Sequence, residues 1–429
     1  MTTSNQATAG VTVPGASTVR APERTSDQPC VDCLDQPPAA RQARPAVPRR
    51  AAFWLVALVL NITMLGTTLP TPLYDIYQAK WHFSAAVVTV TFAVYAAAVL
   101  VTLLLAGRSS DQAGRRPVLA VALGAAALST LAFIFAPDEG VLLAGRILSG
   151  LAAGLMTGTA TAMLTELSQA SAGRRSSLAA TAANMGGLGL GPLLAGLLAQ
   201  YAPHPTTLVF EVYLAVLAVA ALCLRFVPET VPARHRPAVR FAGLGIPERG
   251  RGQFIAAVAA FAAFALLGLF SSLVPGFIGG VLHQGSHAVQ GAAVFGLFAI
   301  GTITQAALSR LDSRPVVLAG LGLFLVALAQ ASMPLFLAGT VAGGVSVGAI
   351  FLGSLATANR LAPPERRGHV VSTFFVACYA GLIIPVVGVG VLTEFIATFP
   401  AVLAFSLLLA ALSLFSLVRI VTTFSADEA

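Results

Sequence analysis

The sequence predicts an all-α membrane protein with twelve transmembrane helices in two pseudo-symmetric six-helix bundles. Three observations carry that prediction. The 429 residues are 57% hydrophobic and 10% charged, with a mean hydropathy of +0.84, against roughly 45 to 50% apolar residues in soluble domains. Apolar windows of about 20 residues, the length a helix needs to cross ~30 Å of hydrocarbon, recur along nearly the whole chain. Those windows are apolar throughout, whereas the strands of a membrane barrel alternate apolar with polar residues.

Taken in order, residues 1–50 are rich in Ala, Pro, Thr, Ser and Arg and hold no long apolar run. They are expected to form a disordered cytoplasmic tail. No apolar h-region stands near Met1, so the first span itself is expected to start insertion. Cys30 and Cys33 in the tail read as free thiols, because no second pair or histidine completes a zinc or redox site. No metal and no cofactor is expected. An N-terminal bundle, residues 51–227, contains spans at 53–74, 85–106, 117–136, 141–165, 178–200 and 207–226. Residues 228–253, rich in Pro and Arg, form a cytoplasmic linker. A C-terminal bundle, residues 254–423, contains spans at 254–274, 288–308, 315–333, 335–356, 370–392 and 398–420, followed by a tail at 424–429.

A net charge of +8 could suggest a nucleic-acid partner, but its distribution gives another reason. With the amino terminus cytoplasmic, every Lys and Arg except Lys80 and Arg146 falls in a tail, loop or helix end on that side. This is the positive-inside bias, so basicity reports orientation, with both termini cytoplasmic. The expected partners are a small-molecule substrate, the lipid bilayer and protons, with no nucleic acid, and the chain is expected to be a monomer.

The two bundles echo each other. "GRSSDQAGRRP", Gly107 to Pro117, joins spans two and three, and "SRLDSRPVVL", Ser309 to Leu318, joins spans eight and nine while keeping Asp312, Arg314 and Pro315. Arg174 precedes Pro192 by the same interval that separates Arg367 from Pro385. Repeated halves about a central linker are the sequence form of an alternating-access transporter, whose site lies between the repeats near the bilayer midplane.

On these residues the chain resembles the major facilitator superfamily from about Ala51 to Thr423. The family's loop signature is matched by Gly107, Asp111, Gly114, Arg115 and Arg116, with departures at Ser109 and Gln112. Its span-four signature is met by Arg146, Gly150 and Gly154. Its span-five signature appears as Gly187, Gly191, Pro192 and Gly196, with Ala195 in place of one glycine. That last pattern resembles the proton-coupled drug-efflux branches. The resemblance implies that Asp111 sits against the N-terminal end of span eleven while the cytoplasmic side is closed, and that the protein lies in a bacterial cytoplasmic membrane.

Candidate site residues follow from the polar groups inside the spans. Arg146 lies within span four, where a charge is costly and should face the bundle or a wet cavity; the alternative is a structural arginine bonding helix-end carbonyls. Thr157 and Thr161 share its face. In span one Asn61, Thr68 and Asp75 recur at seven-residue steps, while Asn184 and Tyr379 add polar groups from spans five and eleven. Glu211 and Asp75, outer-half carboxylates, are the proton-coupling candidates, and Arg146 would hold ionised whichever of them lies close to it. Phe264, Phe270, Phe295, Phe298, Phe374 and Phe375 suggest an aromatic cavity. One interior arginine and few amides fit sugars and organic anions poorly, so an amphipathic molecule moved by proton-coupled efflux is the leading expectation. An uncoupled facilitator or importer, and a sensor or scaffold on the same fold, are the alternatives. Enzymatic chemistry has no support, since no nucleotide-cradling Gly-x-x-x-x-Gly-Lys loop is present.

The charge distribution makes a direct prediction. In whole cells an impermeant thiol reagent should label a cysteine placed at Ala202 and spare one placed at Gly245; the reverse pattern would invert the topology.

Overall fold

The structure is a computed structural model that describes residues 47–82, 84–106, 109–168, 173–231, 251–280, 282–308, 333–361, 367–397, 400–409 and 411. Everything described is helix or short connection. A first set comprises α1 (Arg49–Thr68), α2 (Tyr74–Trp81), α3 (Ala85–Ala106), α4 (Ser109–Ala113), α5 (Arg115–Ile134), α6 (Glu139–Leu167), α7 (Gly173–Tyr201) and α8 (Pro205–Phe226). A second comprises α9 (Arg251–Ser272), α10 (Val274–Gly280), α11 (His287–Leu308), α12 (Met333–Leu361), α13 (Arg367–Leu392) and α14 (Pro400–Leu409). Among the described residues nine helices are long and apolar enough to cross a membrane, or ten if α9 and α10 count as one bent span. Span 315–333 up to its last residue, nearly all of the tail, most of the linker and about half of span 398–420 lie outside the described residues. So do Cys30, Cys33, Gly107 and the Asp312–Pro315 echo.

The long helices alternate in direction, which gives the molecule an α4 end and a far end. Span one differs from a single straight helix because of its prolines. Pro70 cannot donate to a helical hydrogen bond, although Leu69 before it keeps helical backbone angles. Accordingly α1 stops at Thr68, a 3-10 turn occupies Thr71–Leu73, and α2 carries Asp75 beyond the break. Pro275 plays a comparable part near the 52° bend between α9 and α10.

Within hydrocarbon, helices gain little from apolar burial against one another, so close backbone approach and interhelical hydrogen bonds hold them together. Helix α7 shows this on two sides. A Cβ on Gly187 would lie 2.3 Å from the Asn61 carbonyl oxygen of α1, and one on Gly191 would lie 2.3 Å from that of Leu65. On its other side Gly196 faces Gly291 of α11, where a Cβ on either would meet a backbone carbonyl at 2.3 or 2.2 Å. Gly150 and Gly154 seat α6 on α3 in the same way.

Gly191→Val should accordingly destabilise the protein by about 1 to 3 kcal/mol, the cost of overpacking a close contact. Gly388→Ala in α13 should be tolerated, because its added Cβ meets nothing within 4 Å. Thermal unfolding in detergent checks both, and equal midpoints for the two variants would refute the packing argument.

Candidate functional site: a charge-free cavity between two polar ends

A cavity of about 250 Å³ lies between the two helix sets. From the first set Met64, Thr68, Tyr95, Thr157, Thr161 and Asn184 line it; from the second come Phe264, Ser271, Phe298, Phe351, Phe375 and Tyr379. Among the described residues its wall contains no Asp, Glu, Lys, Arg or His. Thr161 and Ser177 line the cavity and are also exposed, and both stand toward the α4 end of their helices.

The polar groups on this wall are held in place. Asn184 Nδ2 donates to Thr157 Oγ1 at 3.2 Å, and the Thr68 hydroxyl donates to the Leu188 carbonyl at 2.8 Å. Facing them, the Phe264 ring contacts Phe351 at 5.6 Å and Tyr379 at 6.0 Å between centroids. Of the residues anticipated from sequence, Thr68, Thr157, Thr161, Asn184 and Tyr379 therefore share this wall, as do Phe264, Phe298 and Phe375.

Asn61 and Arg146 do not line it. Asn61 Nδ2 donates to the Ala183 carbonyl at 3.0 Å and ties α1 to α7. Arg146 is fully buried. Its Nε donates to the Tyr74 hydroxyl at 2.8 Å, its Nη2 reaches the same hydroxyl, and its Nη1 donates to the Thr67 carbonyl at the end of α1. The rings of Tyr74, Tyr95 and Phe133 stand 5.4, 5.6 and 5.9 Å from its guanidinium carbon. This arrangement corrects the expected cavity-facing arginine: the broken end of α1 leaves a carbonyl without a helical partner, and Arg146 supplies the donor. The ion pairs among the described residues do not include Arg146, so neither Glu211 nor Asp75 is its partner. Sequence reasoning missed Tyr95, which faces both Arg146 and the cavity, because an isolated tyrosine in an apolar helix carries no distinguishing pattern.

The far end closes through contacts between the sets. Gln290 Nε2 of α11 donates to Asp75 Oδ2 at 3.2 Å, and the same amide oxygen lies 3.3 Å from His287 Nδ1. The His287 backbone N–H donates to Gln200 Oε1 at 3.0 Å, and that of Ala86 to Glu394 Oε1 at 3.4 Å. Asp75 is half-buried in this cluster, whereas Glu211 is exposed on α8.

The α4 end is ionic and lies within one set. Arg115 pairs with Asp111 at 2.6 Å and with Glu166 at 2.7 Å. Glu229 reaches back to the start of α5, accepting from the backbone N–H groups of Arg115 at 2.8 Å and Arg116 at 2.9 Å. That carboxylate satisfies two otherwise unpartnered donors at a positive helix end. Gly114 precedes them with φ +92°, a conformation that side chains rarely adopt, and a Cβ there would lie 3.0 Å from Glu229 Oε2. Asp111 thus pairs inside its own loop in this structure, with Arg115.

The model of the Major Facilitator Superfamily matches residues 56–311. The chain belongs to that superfamily of membrane transporters. Solved structures of the same fold include the human organic anion transporter MFSD10 (TETRAN), at 18% identity and TM-score 0.61, covering 87% of this chain and all of that one. A point mutant of the nucleoside transporter NupG aligns at 13% identity and TM-score 0.68, again over 87% of this chain and all of that one. A bacterial homologue of the human lysosomal transporter Spinster, in an inward-facing and unoccupied conformation, aligns at 15% identity and TM-score 0.61 over 89% of this chain and 96% of that one. No curated protein sequence matches the chain. The protein is therefore a multi-pass membrane transporter and not an enzyme.

Arg146 generates a test of its structural role. Tyr74→Phe removes the acceptor shared by two guanidinium donors, and leaving buried donors unpaired costs about 1 to 3 kcal/mol. A lowered unfolding temperature in detergent is expected. An unchanged one would mean that the hydroxyl does not hold the arginine.

Proposed function

We propose that the protein exports an amphipathic small molecule by alternating access in exchange for protons. The observation that carries this reading is the uncharged, aromatic cavity between the helix sets. An anionic cargo calls for convergent cations, and a nucleoside or sugar for several convergent amides; this wall offers Asn184, a few hydroxyls and many rings. Such a lining suits a ligand with a large apolar body and few polar groups. Fold alone does not choose cargo, and the differing substrates named for MFSD10 and NupG illustrate this. The arginine-rich tail, linker and loops favour an orientation with both termini in the cytoplasm of a bacterial cell. The exposed Thr161 and Ser177 at the α4 end then describe an inward-facing state.

Asp75 is the better proton carrier of the two candidates, because it joins the helix sets through Gln290 and faces His287 of α11. Protonating it removes the charge that strengthens the Gln290 bond and so loosens the far end. Closing the α4 end would then let Asp111 exchange Arg115 for the positive N-terminal end of α13, shifting the two-state balance.

Proteoliposomes with an imposed pH gradient test this reading against a panel of neutral and cationic amphipathic compounds. The wild type should move at least one compound against its gradient. Asp75→Asn should abolish pH-driven movement but keep counterflow, while Glu211→Gln should behave as wild type. Flux that ignores the pH gradient in all three proteins would favour the uncoupled facilitator.

A further inference from the structure

A second cavity, of about 800 Å³, lies away from the transport site between α5 and α8. Both helices have the length and composition of membrane spans, so in a bilayer the open side of this groove meets hydrocarbon. Ala120, Gly124 and Ala127 of α5 and Leu214, Ala218 and Ala221 of α8 form its apolar walls. Ala120, Gly124, Ala218 and Ala221 are exposed, and a Cβ on Gly124 would meet nothing within 4 Å.

The groove has polarity at one end only. Arg116, Arg225 and Glu229 stand at its α4-end mouth. Arg116 Nη2 donates to the Arg225 carbonyl at 3.0 Å, which fixes its side chain there. Glu229 offsets one of the two arginine charges, which leaves the mouth net positive. Its carboxylate is engaged by the N–H groups at the start of α5, and among the described residues neither arginine forms an ion pair.

From this geometry we infer that the groove binds an anionic phospholipid, with an acyl chain along the α5–α8 wall and the phosphate between Arg116 and Arg225. The two parts of the ligand follow from the two parts of the site. A long apolar channel at membrane depth suits a hydrocarbon chain, and two guanidinium groups at headgroup level suit phosphate, which arginine binds in bidentate fashion. Basic pockets between membrane helices hold anionic headgroups on the same principle. Free phosphate has no use for the apolar wall, and a neutral lipid has none for the arginines. The inference needs α5 and α8 to span the membrane and is independent of cargo and coupling.

Native mass spectrometry of the delipidated protein, incubated with phosphatidylglycerol or phosphatidylcholine of the same chains, tests it. The wild type should retain phosphatidylglycerol in preference by about tenfold or more, as two interfacial arginines supply. The Arg116→Gln/Arg225→Gln variant should lose the preference, Gly124→Trp should lose retention of both lipids, and Gly124→Ala should match wild type. A phosphatidylglycerol with a photoreactive group on its acyl chain, applied to unaltered protein, should label residues 120–127 or 214–221. Equal retention of the two lipids by wild type, labelling elsewhere, or a dimer that Gly124→Trp dissolves would each overturn the inference.

Discussion

Helix α7 is the element on which the arrangement depends, because it is packed backbone to backbone against a helix of each set. Gly187 and Gly191 bring it against α1, and Gly196 brings it against Gly291 of α11. No side chain separates the helices at these points, so each contact has little room to give and is sharply specified. A hydrocarbon surrounding would otherwise leave helix registers loosely determined. The cavity inherits its geometry from this helix: its Asn184 and Leu188 fix Thr157 and Thr68 on the wall.

Charge is distributed with comparable economy. The interior cation, Arg146, is enclosed by the Thr67 carbonyl and the rings of Tyr74, Tyr95 and Phe133, and its work is to hold the end of α1. A buried charge with no acceptors would be severely unfavourable; here a carbonyl, a hydroxyl and ring faces supply the compensation without any carboxylate. As a result the cavity can sit beside an arginine and still present an uncharged wall, with Tyr95 belonging to both environments.

Much of the fold was legible because hydrocarbon imposes a simple rule on sequence. Window length and apolarity are enough to locate nearly every long helix seen, and the motif residues Asp111, Arg115 and Gly187 mark the loop and the close packing. Side-chain direction was less legible. A heptad count assumes one continuous α-helix, so it could not register the 3-10 turn at Thr71–Leu73 between α1 and α2. Depth in a span likewise told that Arg146 must be compensated, but not by what, since its partner Tyr74 lies 72 positions away in sequence. The role of Glu229 was hidden for a related reason: a carboxylate after the last helix of a set gives no sign that it will cap the start of α5.

The two ends of the molecule are built from different interactions, and that difference matters for an alternating device. At the far end, hydrogen bonds and glycine contacts join one helix set to the other, so opening there must break them together. At the α4 end, the strong contacts of Arg115, Glu166 and Glu229 lie within the first set and can survive movement of the second. The ionic cluster is therefore complete among residues of the first set. Because Asp111 is exposed while Arg115 is also held by Glu166, the acid can leave without stranding the arginine. The cluster thus ties α4, α5 and α6 together through Arg115, with Asp111 the more exposed of its two paired acids.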